Sequence, residues 1–238
     1  MKFLTKILTV SAILAVTQLQ AADQKTLLSE RGKLLLSEDF SKPIEAPAKG
    51  AKKEKGKPAT ASWNMAKGKW ETADGVLKGA ELKADMHGAV ARYPLTFKDV
   101  VIQYDVRVDG CKMTTLSIND AKGHLCRVLI NKDGFTAQKD DHDHEGPDKA
   151  VKFGTQKADI KAGEWKTVLI EIRGNEMVTH LDGKTIVGSH DALTIEKANF
   201  GFTVSGETAS FRNLRVWEAL PNESWSKTKA GLTTAAAK

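Results

Sequence analysis

The sequence is poor in several features, and each shortage excludes a class of protein. It has only 2 cysteines in 238 residues, which excludes a scaffold held together by many disulfides. Beyond residue 21 no apolar run is long enough to cross a bilayer, so no membrane span is expected. No window of helical length shows a 3.6-residue apolar period, which excludes a helical bundle.

The N-terminal residues have the order of a secretory signal peptide. Lys2 and Lys6 precede an apolar run at residues 7–16, and small residues follow at Ala21 and Ala22. This order predicts a leader at residues 1–21 and a secreted or periplasmic protein. The mature chain is expected to form one domain at residues 22–220, followed by a flexible C-terminal tail at residues 221–238.

Positive charge is concentrated in one stretch of low complexity. The formal net charge is +6, and the Lys/Pro/Ala-rich insertion at residues 41–61 carries six lysines against Glu45 and Glu54. Such a composition cannot bury enough apolar surface to order itself. The remainder of the mature chain is close to neutral, so a folded basic face and a nucleic-acid partner are not expected.

The two cysteines raise the question of a disulfide in an exported protein. If residues 119–123 form a hairpin turn, Leu116 faces Cys126, and Cys111 lies about 17 Å further along the strand. That separation is beyond disulfide reach. The sequence therefore favours two buried free thiols.

Most of the chain after the insertion is typical of β-strands. Short runs rich in Val, Ile, Thr and Phe recur, and Asp-Gly pairs at residues 74–75, 133–134 and 182–183 mark turns between them. This spacing predicts an all-β fold of two antiparallel sheets, a sandwich or jelly roll of about 180 to 190 residues.

The clearest alternation lies at residues 100–108. Apolar side chains occupy positions 100, 102, 104, 106 and 108, while Gln103, Asp105 and Arg107 share the other face. The apolar face is predicted to be core, and the polar face either meets solvent or lines a ligand-binding surface. His180 lies in a second predicted strand, and its ordinary pKa suits proton transfer near neutral pH.

The stretch KDDHDHEGPDK, residues 139–149, is a candidate metal-binding loop. Asp141, Asp143 and Glu145 match the first half of an EF-hand calcium loop in part. Position 12 of that loop is Lys152, so a complete EF-hand is excluded and only a sparser calcium site is left open.

Zinc is the second metal that this stretch could bind. His142 and His144 lie on the same side of an extended segment and can converge on one ion. A third ligand would come from elsewhere, with His124 and His190 as the candidates. The alternative to both metals is a charged surface loop between two strands.

Five segments carry a family resemblance: LLSEDF (35–40), WETADGVLKG (70–79), FKDVVIQYDVRV (97–108), GEWKTVLIEIRGNEMVTHLDGKTI (163–186) and ASFRNLRVWEAL (209–220). In this order they resemble the 3-keto-disaccharide hydrolase domain family of exported bacterial proteins. The resemblance implies a concanavalin A-like lectin/glucanase jelly roll and a carbohydrate partner.

The resemblance also implies a substrate whose sugar ring carries a ketone at carbon 3. The ketone acidifies the neighbouring C–H, so the glycosidic bond can break by proton abstraction and elimination, followed by addition of water. Matching positions imply proton transfer by Asp105 or His180, enolate stabilisation by Arg107, and substrate contacts from Gln103 and Trp70. No cofactor is required for this chemistry.

One departure from the family pattern keeps a second function open. Family members that carry the catalytic groups have an Asn-Ser-Gly motif and then an acidic, aromatic-rich strand, whereas this chain has DGCKMTTLSINDAKGHLCRVLI (109–130). A non-catalytic glycan-binding or structural jelly-roll module is therefore an equal alternative. In that case Trp63, Trp70 or Trp165 could stack on sugar rings.

Overall fold

The computed structural model describes residues 23–44 and 62–236 and shows an antiparallel all-β architecture. The strands are β1 (Ser29–Glu38), β2 (Asn64–Lys67), β3 (Lys69–Ala73), β4 (Val76–Ala80), β5 (Ala89–Phe97), β6 (Val100–Asn119), β7 (His124–Asn131), β8 (Gly134–Lys139), β9 (Val151–Lys157), β10 (Trp165–Arg173), β11 (Glu176–Leu181), β12 (Lys184–Ser189) and β13 (Lys197–Pro221). Short 3-10 helices span Lys83–Asp85 and Asp191–Thr194, and α1 spans Trp225–Ala236. The predicted leader and most of the Lys-rich insertion lie outside the described residues.

Two long strands, β6 and β13, build both sheets of the sandwich. They pair along almost their whole lengths, from Asn119↔Asn199 to Val100↔Glu218, with register shifts near Gly110 and Gly206. Both glycines have positive φ, of 93° and 86°, a backbone conformation that suits a bulge where a strand bends. Each long strand can therefore start in one sheet and end in the other.

The first sheet contains the first half of β6 and the second half of β13. On one side β10, β11 and β12 extend it, and on the other side β4 and β1 pair with β13 while β3 pairs with β4. The second sheet contains the remaining halves, flanked by β7, β8 and β9 and by β5 and β2. The predicted two-sheet antiparallel jelly-roll sandwich is confirmed.

The core lies between the two sheets and follows the predicted alternation of β6. Ile102, Tyr104 and Val106 are buried in it. Phe202 and Phe211 stack at its centre, with ring centroids 4.0 Å apart. Burial on this face fixes the register of β6 and sends the side chains between these positions to the outer face.

Trp63 belongs to the core and is not a surface platform for a sugar. Its side chain is 3% exposed and contacts the rings of Phe40, Tyr93, Phe200 and Phe202. An indole enclosed in this way cannot stack on a ligand.

Both cysteines are free and buried, as the sequence favoured. Cys126 pairs with Ile118 and not with Leu116, which places Cys111 still further from it along β6. Burial raises the pKa of Cys111 to about 11 and that of Cys126 to about 12. The two thiols therefore carry their protons at neutral pH.

The C-terminal segment differs from the expected flexible tail. Residues 225–236 form α1, and its first turn is tied to β11, because Trp225 Nε1 and Lys229 Nζ donate to Glu176 at 2.7 and 2.6 Å. Trp225 also packs on Leu28 and Val178. The sequence shows no clear helical apolar period here because only Trp225 and, seven residues later, Leu232 pack on the sheet. None of the helices described is long and apolar enough to cross a membrane.

The burial of Trp63 gives a stability prediction. We expect Trp63→Ala to lower the free energy of unfolding by about 3 to 5 kcal/mol, because it removes a large core side chain and leaves a cavity. Urea denaturation would measure the change, with Leu220→Ala, whose side chain is 44% exposed, as the control. A loss below about 1 kcal/mol in Trp63→Ala would contradict its place in the core.

Candidate functional site

Four of the predicted site residues, Gln103, Asp105, Arg107 and His180, share the outer face of the first sheet. Gln103 and Asp105 on β6 alternate with core residues, and His180 on β11 is linked to Gln103 across the sheet through Leu169. Asp105 and His180 are nevertheless two strands apart and offset by two residues, which corresponds to roughly 12 Å between their Cα atoms. They share a face without forming one cluster.

Asp105 is a buried cross-link within the first sheet. It is 2% exposed and accepts hydrogen bonds from Thr167 Oγ1 at 2.7 Å, Asn213 Nδ2 at 2.8 Å and Arg212 Nε at 3.1 Å. These donors lie on β10 and β13, so the carboxylate ties β6 to both neighbouring strands. Its oxygens are engaged and shielded, which does not suit a general base that must meet a substrate.

Arg107 is also held by neighbouring side chains. Its Nε donates to Asp109 Oδ2 at 2.9 Å, and its guanidinium lies 4.8 Å from the ring of Trp165. Arg212 lies 4.2 Å from the same ring. Two guanidinium groups therefore lie against the ring of Trp165. This ring is one of the three predicted to stack on sugars.

His180 and Gln103 contact a neighbouring carboxylate and the N-terminal segment rather than Asp105. His180 Nε2 lies 3.3 Å from Glu171 Oε1, and Nδ1 lies 3.0 Å from Thr185 Oγ1. Glu171 also accepts from the backbone N of Leu27, and Gln103 accepts from the N of Gln24. Residues 24–29 thus cover this part of the face.

Trp70 lies away from all four of these residues. It packs against Phe211, at 6.3 Å between ring centroids, and against Gly79 on β4. Because Phe211 points into the core, Trp70 lies on the opposite side of the first sheet from Asp105. It lines a separate cavity of about 330 Å³ with Met65 and Leu82, so the predicted substrate contacts of Trp70 and Gln103 are not brought together.

The acidic histidine stretch forms the connection between β8 and β9. Asp141 Oδ1 accepts from the backbone N of His144, and Asp143 Oδ1 accepts from the backbone N of Glu145, both at 2.9 Å. These are local turn contacts. Within residues 23–44 and 62–236 no group of three or more His, Cys, Asp or Glu side chains is arranged to hold a metal ion, so the predicted ligand sets Asp141, Asp143, Glu145 and His142, His144 are not assembled.

The outer face of the second sheet has a different character from that of the first. Its floor consists of small polar residues, since Thr115 and Ser117 on β6 lie beside Thr203 and Gly201 on β13. A cleft of about 640 Å³ opens at one end of this face and is lined by Ser62, Asn64, Arg92, Asn119, His124 and Asn199.

A larger cavity of about 880 Å³ lies on the other side of the turn at residues 120–124. Asp120, Lys122 and His124 line both spaces. The larger cavity also reaches the acidic loop at His142 and the 3-10 helix at His190, whose Nδ1 accepts from Ala192 N. The turn is therefore a wall between two adjoining spaces.

The acidic loop holds this wall in place. His142 Nε2 lies 2.9 Å from Asp120 Oδ2, and the backbone N of His124 donates to the carbonyl of His142 at 3.0 Å. A Cβ atom at Gly123 would lie 2.2 Å from that same carbonyl oxygen, so only glycine permits the close approach. Asp140 adds a buried ion pair with Arg127, with 2.5 Å between Oδ2 and Nε.

His124 is the one imidazole that lines both spaces and has a defined tautomer. Asn119 Nδ2 donates to Asn199 Oδ1 at 2.7 Å, which turns Asn119 Oδ1 toward His124 Nδ1 at 3.0 Å. Nδ1 therefore carries the proton and Nε2 carries the lone pair. Burial, with a contribution from nearby Arg127, lowers the pKa of His124 below its ordinary value of 6.5, so the ring is neutral at pH 7.

Arg92 on β5 is the exceptional charge in the smaller cleft. Its Nη1 is buried and has no hydrogen-bond partner among the described residues. Burial lowers the pKa of Arg92 from its ordinary value of 12.5, and the nearby positive charge of Arg127 lowers it further. A buried donor that lacks a partner costs free energy, and only the nearby charge of Asp140, which already pairs with Arg127, offsets the burial of Arg92.

Sequence reasoning missed the site on the second sheet because its residues are far apart along the chain. The sequence indicates His124 only as a third zinc ligand, and it does not single out Arg92, Asn119 or Asn199. One signal was present: Arg92 alternates with the core residues Ala91 and Tyr93, and Asn199 precedes the core residue Phe200. The pairing of these strands, which brings the polar positions together, is not written in any one segment.

Most of the chain matches one protein family. Residues 54–217 match the model of the 3-keto-alpha-glucoside-1,2-lyase-like domain. The chain belongs to this family. The family match includes β2 to β12 and most of β13, and so both sheets and both outer faces. No curated protein matches the chain.

Solved structures similar to this family member include two carbohydrate-related proteins. One is the carbohydrate-binding module CBM66 from Bacillus subtilis, with 18% identity, 66% of this chain and 95% of that chain covered, and a TM-score of 0.53. Another is LamA from Z. galactanivorans in complex with laminaritriose and laminaritetraose, with 11% identity, 79% and 100% covered, and a TM-score of 0.52. At these identities the likeness is one of fold.

The contacts of Asp105 give a second prediction. We expect Asp105→Ala to lower the free energy of unfolding by about 3 kcal/mol, because it leaves Arg212 and two further donors without their acceptor. Urea denaturation would measure the loss, with the exposed Asp159→Ala as the control. Unchanged stability together with lost activity would instead support a catalytic role for Asp105.

The lack of a partner for Arg92 gives a third prediction. We expect Arg92→Gln to raise the free energy of unfolding by about 1 kcal/mol, because it removes a desolvated charge and no native ion pair. The matched control is Arg127→Gln, which should lower it by about 3 kcal/mol by leaving Asp140 buried without its cation. Destabilisation by Arg92→Gln, measured in the same urea series, would show that the fold depends on Arg92.

Proposed function

We propose that this protein binds a carbohydrate in the cleft on the outer face of the second sheet and cleaves glycosidic bonds of 3-keto sugars there. The observation that carries the proposal is His124, a neutral imidazole with a fixed tautomer at the wall between two cavities. Family membership supports the substrate class, since the family is described by a lyase acting on 3-keto-alpha-glucosides. The amides of Asn64, Asn119 and Asn199 suit sugar hydroxyl groups.

The proposed reaction is an elimination that starts at the ketone. His124 Nε2 takes the proton from carbon 2, the C1–O bond to the leaving group breaks, and a double bond forms between carbons 1 and 2. The leaving oxygen takes up a proton, and water then adds across the double bond to complete hydrolysis. The ammonium group of Lys122, on the same turn, is a cation for the enolate oxygen that develops at carbon 3.

Two adjoining spaces fit a substrate with two parts. The ring that carries the ketone would occupy the smaller cleft, and the leaving group would extend past the turn into the larger cavity. The paired His142 and Asp120 border that cavity, where a proton is needed by the departing oxygen. These roles replace those of Asp105 and His180, whose polar atoms contact other protein groups.

Glycan binding without turnover is a second candidate. The contacts of Asp120, the carboxylate at the wall, favour this candidate because they engage the carboxylate with other protein groups. Asp120 accepts from the backbone N of Lys122 and Gly123 at 2.7 Å and lies 2.9 Å from His142. No carboxylate in the described part of the cleft is left to act as a free acid or base beside His124. We also propose that either function is exerted after export, which rests on the order of residues 1–21.

The role of His124 is tested by its removal. We expect His124→Gln to lower kcat/KM for a 3-keto glucoside by about 10²- to 10⁴-fold, because the variant lacks the base. The control His87→Gln changes an exposed histidine outside both cavities and should retain activity. Because the pKa of His124 is lowered, kcat/KM of the wild type should be flat near neutrality and fall only as the pH drops below 6.5.

Three outcomes distinguish the candidates. Full activity in His124→Gln would remove His124 from the mechanism. Absence of turnover by the wild type on 3-keto glycosides, with retained binding of the unoxidised sugar, would support the glycan-binding module. An acid limb above pH 6.5 would contradict the lowered pKa of the proposed base.

A further inference from the structure

Arg92 is the feature of the cleft that carbohydrate hydroxyl groups alone do not explain. It lies on the outer face between Asn64 on β2 and Gly201 on β13, and it lines the smaller cleft. Gly201 lets the backbone of β5 approach closely, since a Cβ atom there would lie 2.0 Å from the Ala91 carbonyl oxygen. A ligand group can reach Arg92 from the cleft, which it lines together with Asn64 and Asn199.

The charges near Arg92 compensate its positive charge only in part. Asp140 is the nearby carboxylate, but it accepts from Arg127 Nε at 2.5 Å and from Gln138 Nε2 at 2.9 Å. Lys122 adds a further positive charge to the same cleft, and Asp120 lies against His142. Among the described residues no carboxylate forms an ion pair with Arg92, so two guanidinium groups share one carboxylate.

Arg92 differs from the arginines that pair with a neighbouring group. The Nε atoms of Arg31 and Arg215 are also buried without an acceptor in the described part of the chain, but both side chains donate through another nitrogen. Arg107 and Arg212 on the first sheet each donate Nε to an aspartate, and Arg127 donates to Asp140. Arg92 keeps a buried Nη1 without an acceptor. A guanidinium that has no ion pair among the described residues and lines an open cleft can bind a carboxylate of a ligand at its remaining nitrogen atoms.

We propose that Arg92 binds the carboxylate of an acidic saccharide, so that the ligands of this cleft are sugars bearing a uronic acid group. The planar carboxylate matches the guanidinium fork and neutralises its charge, while Asn64, Asn119 and Asn199 contact hydroxyl groups of the same sugar. A cleft of about 640 Å³ has room for a sugar ring in addition to the anion. The inference deepens the proposed function by naming the substrate class, and it rests on that function only for the location of the cleft.

The test compares two sugars that differ only at carbon 6, methyl β-glucuronide and methyl β-glucoside. Binding is measured by NMR chemical-shift titration, without turnover. We expect the wild type to bind the glucuronide about tenfold more tightly or better, and Arg92→Gln to lose this preference by losing affinity for the glucuronide alone. Arg92→Lys keeps the charge without the fork and should keep only part of the preference.

Two controls separate this site from general attraction of anions. Arg173→Gln removes an arginine at the end of β10, outside the cleft, and should leave the preference intact. Acetate, which offers the carboxylate without the sugar, should compete only at much higher concentration than the glucuronide. Competition by acetate at equal concentration would identify a small-anion site and would overturn the saccharide assignment.

Three further results would contradict the binding of a carboxylate by Arg92. Equal binding of the two sugars by the wild type, no detectable binding of the glucuronide, or a preference that survives Arg92→Gln would each overturn the inference. The stability measurement on Arg92→Gln shows whether the variant is folded. Loss of 3-keto glycoside cleavage in the wild type with an intact preference for the glucuronide would contradict the proposed reaction, and not the role of Arg92.

Discussion

The pairing of β6 with β13 is the constraint on which the rest of the structure depends. Each strand bends near a glycine of positive φ and passes from one sheet to the other, so both sheets inherit their register from a single ladder. The inner positions of this ladder carry the aromatic core, and its outer positions carry Asp105 at one end and Asn119 at the other. Packing in the core therefore fixes the location of polar groups on two separate faces.

The two outer faces, which share this ladder, differ in how their charged groups are paired. On the first sheet Arg212 meets Asp105, Arg107 meets Asp109 and the N-terminal segment meets Glu171 and Gln103. Arg31 and Arg215 each keep a buried Nε without an acceptor among the residues described there, but both side chains donate through another nitrogen. On the second sheet Arg92 has an unmet donor and His124 has an unprotonated Nε2. Completed polar networks stabilise a fold, while incomplete ones at an open cleft leave binding free energy for a ligand.

The sequence predicted those features that depend on neighbours along the chain. Alternation at residues 100–108 correctly separates Tyr104 in the core from Asp105 outside it, because each strand face is set locally. The same alternation could not show that Asp105 meets Arg212 and Asn213, or that Asn119 meets Asn199, since these contacts depend on strand pairing across 80 residues or more. Residue type was misleading for Trp63, since an indole fits a core as well as a sugar platform. A density of charge drew attention to residues 139–149, whereas the single Arg92 in a mainly apolar strand gave little signal.

The two buried thiols have a consequence for how the unfolding of this protein can be followed. Cys111 lies at the bend of β6 and Cys126 lies in β7 of the second sheet, both protonated and shielded from solvent. A thiol reagent can modify each only when its surroundings open. The protein therefore contains two built-in reporters, one for opening of the corner between the sheets and one for separation of β7 from its neighbours, and their labelling rates distinguish local from global unfolding.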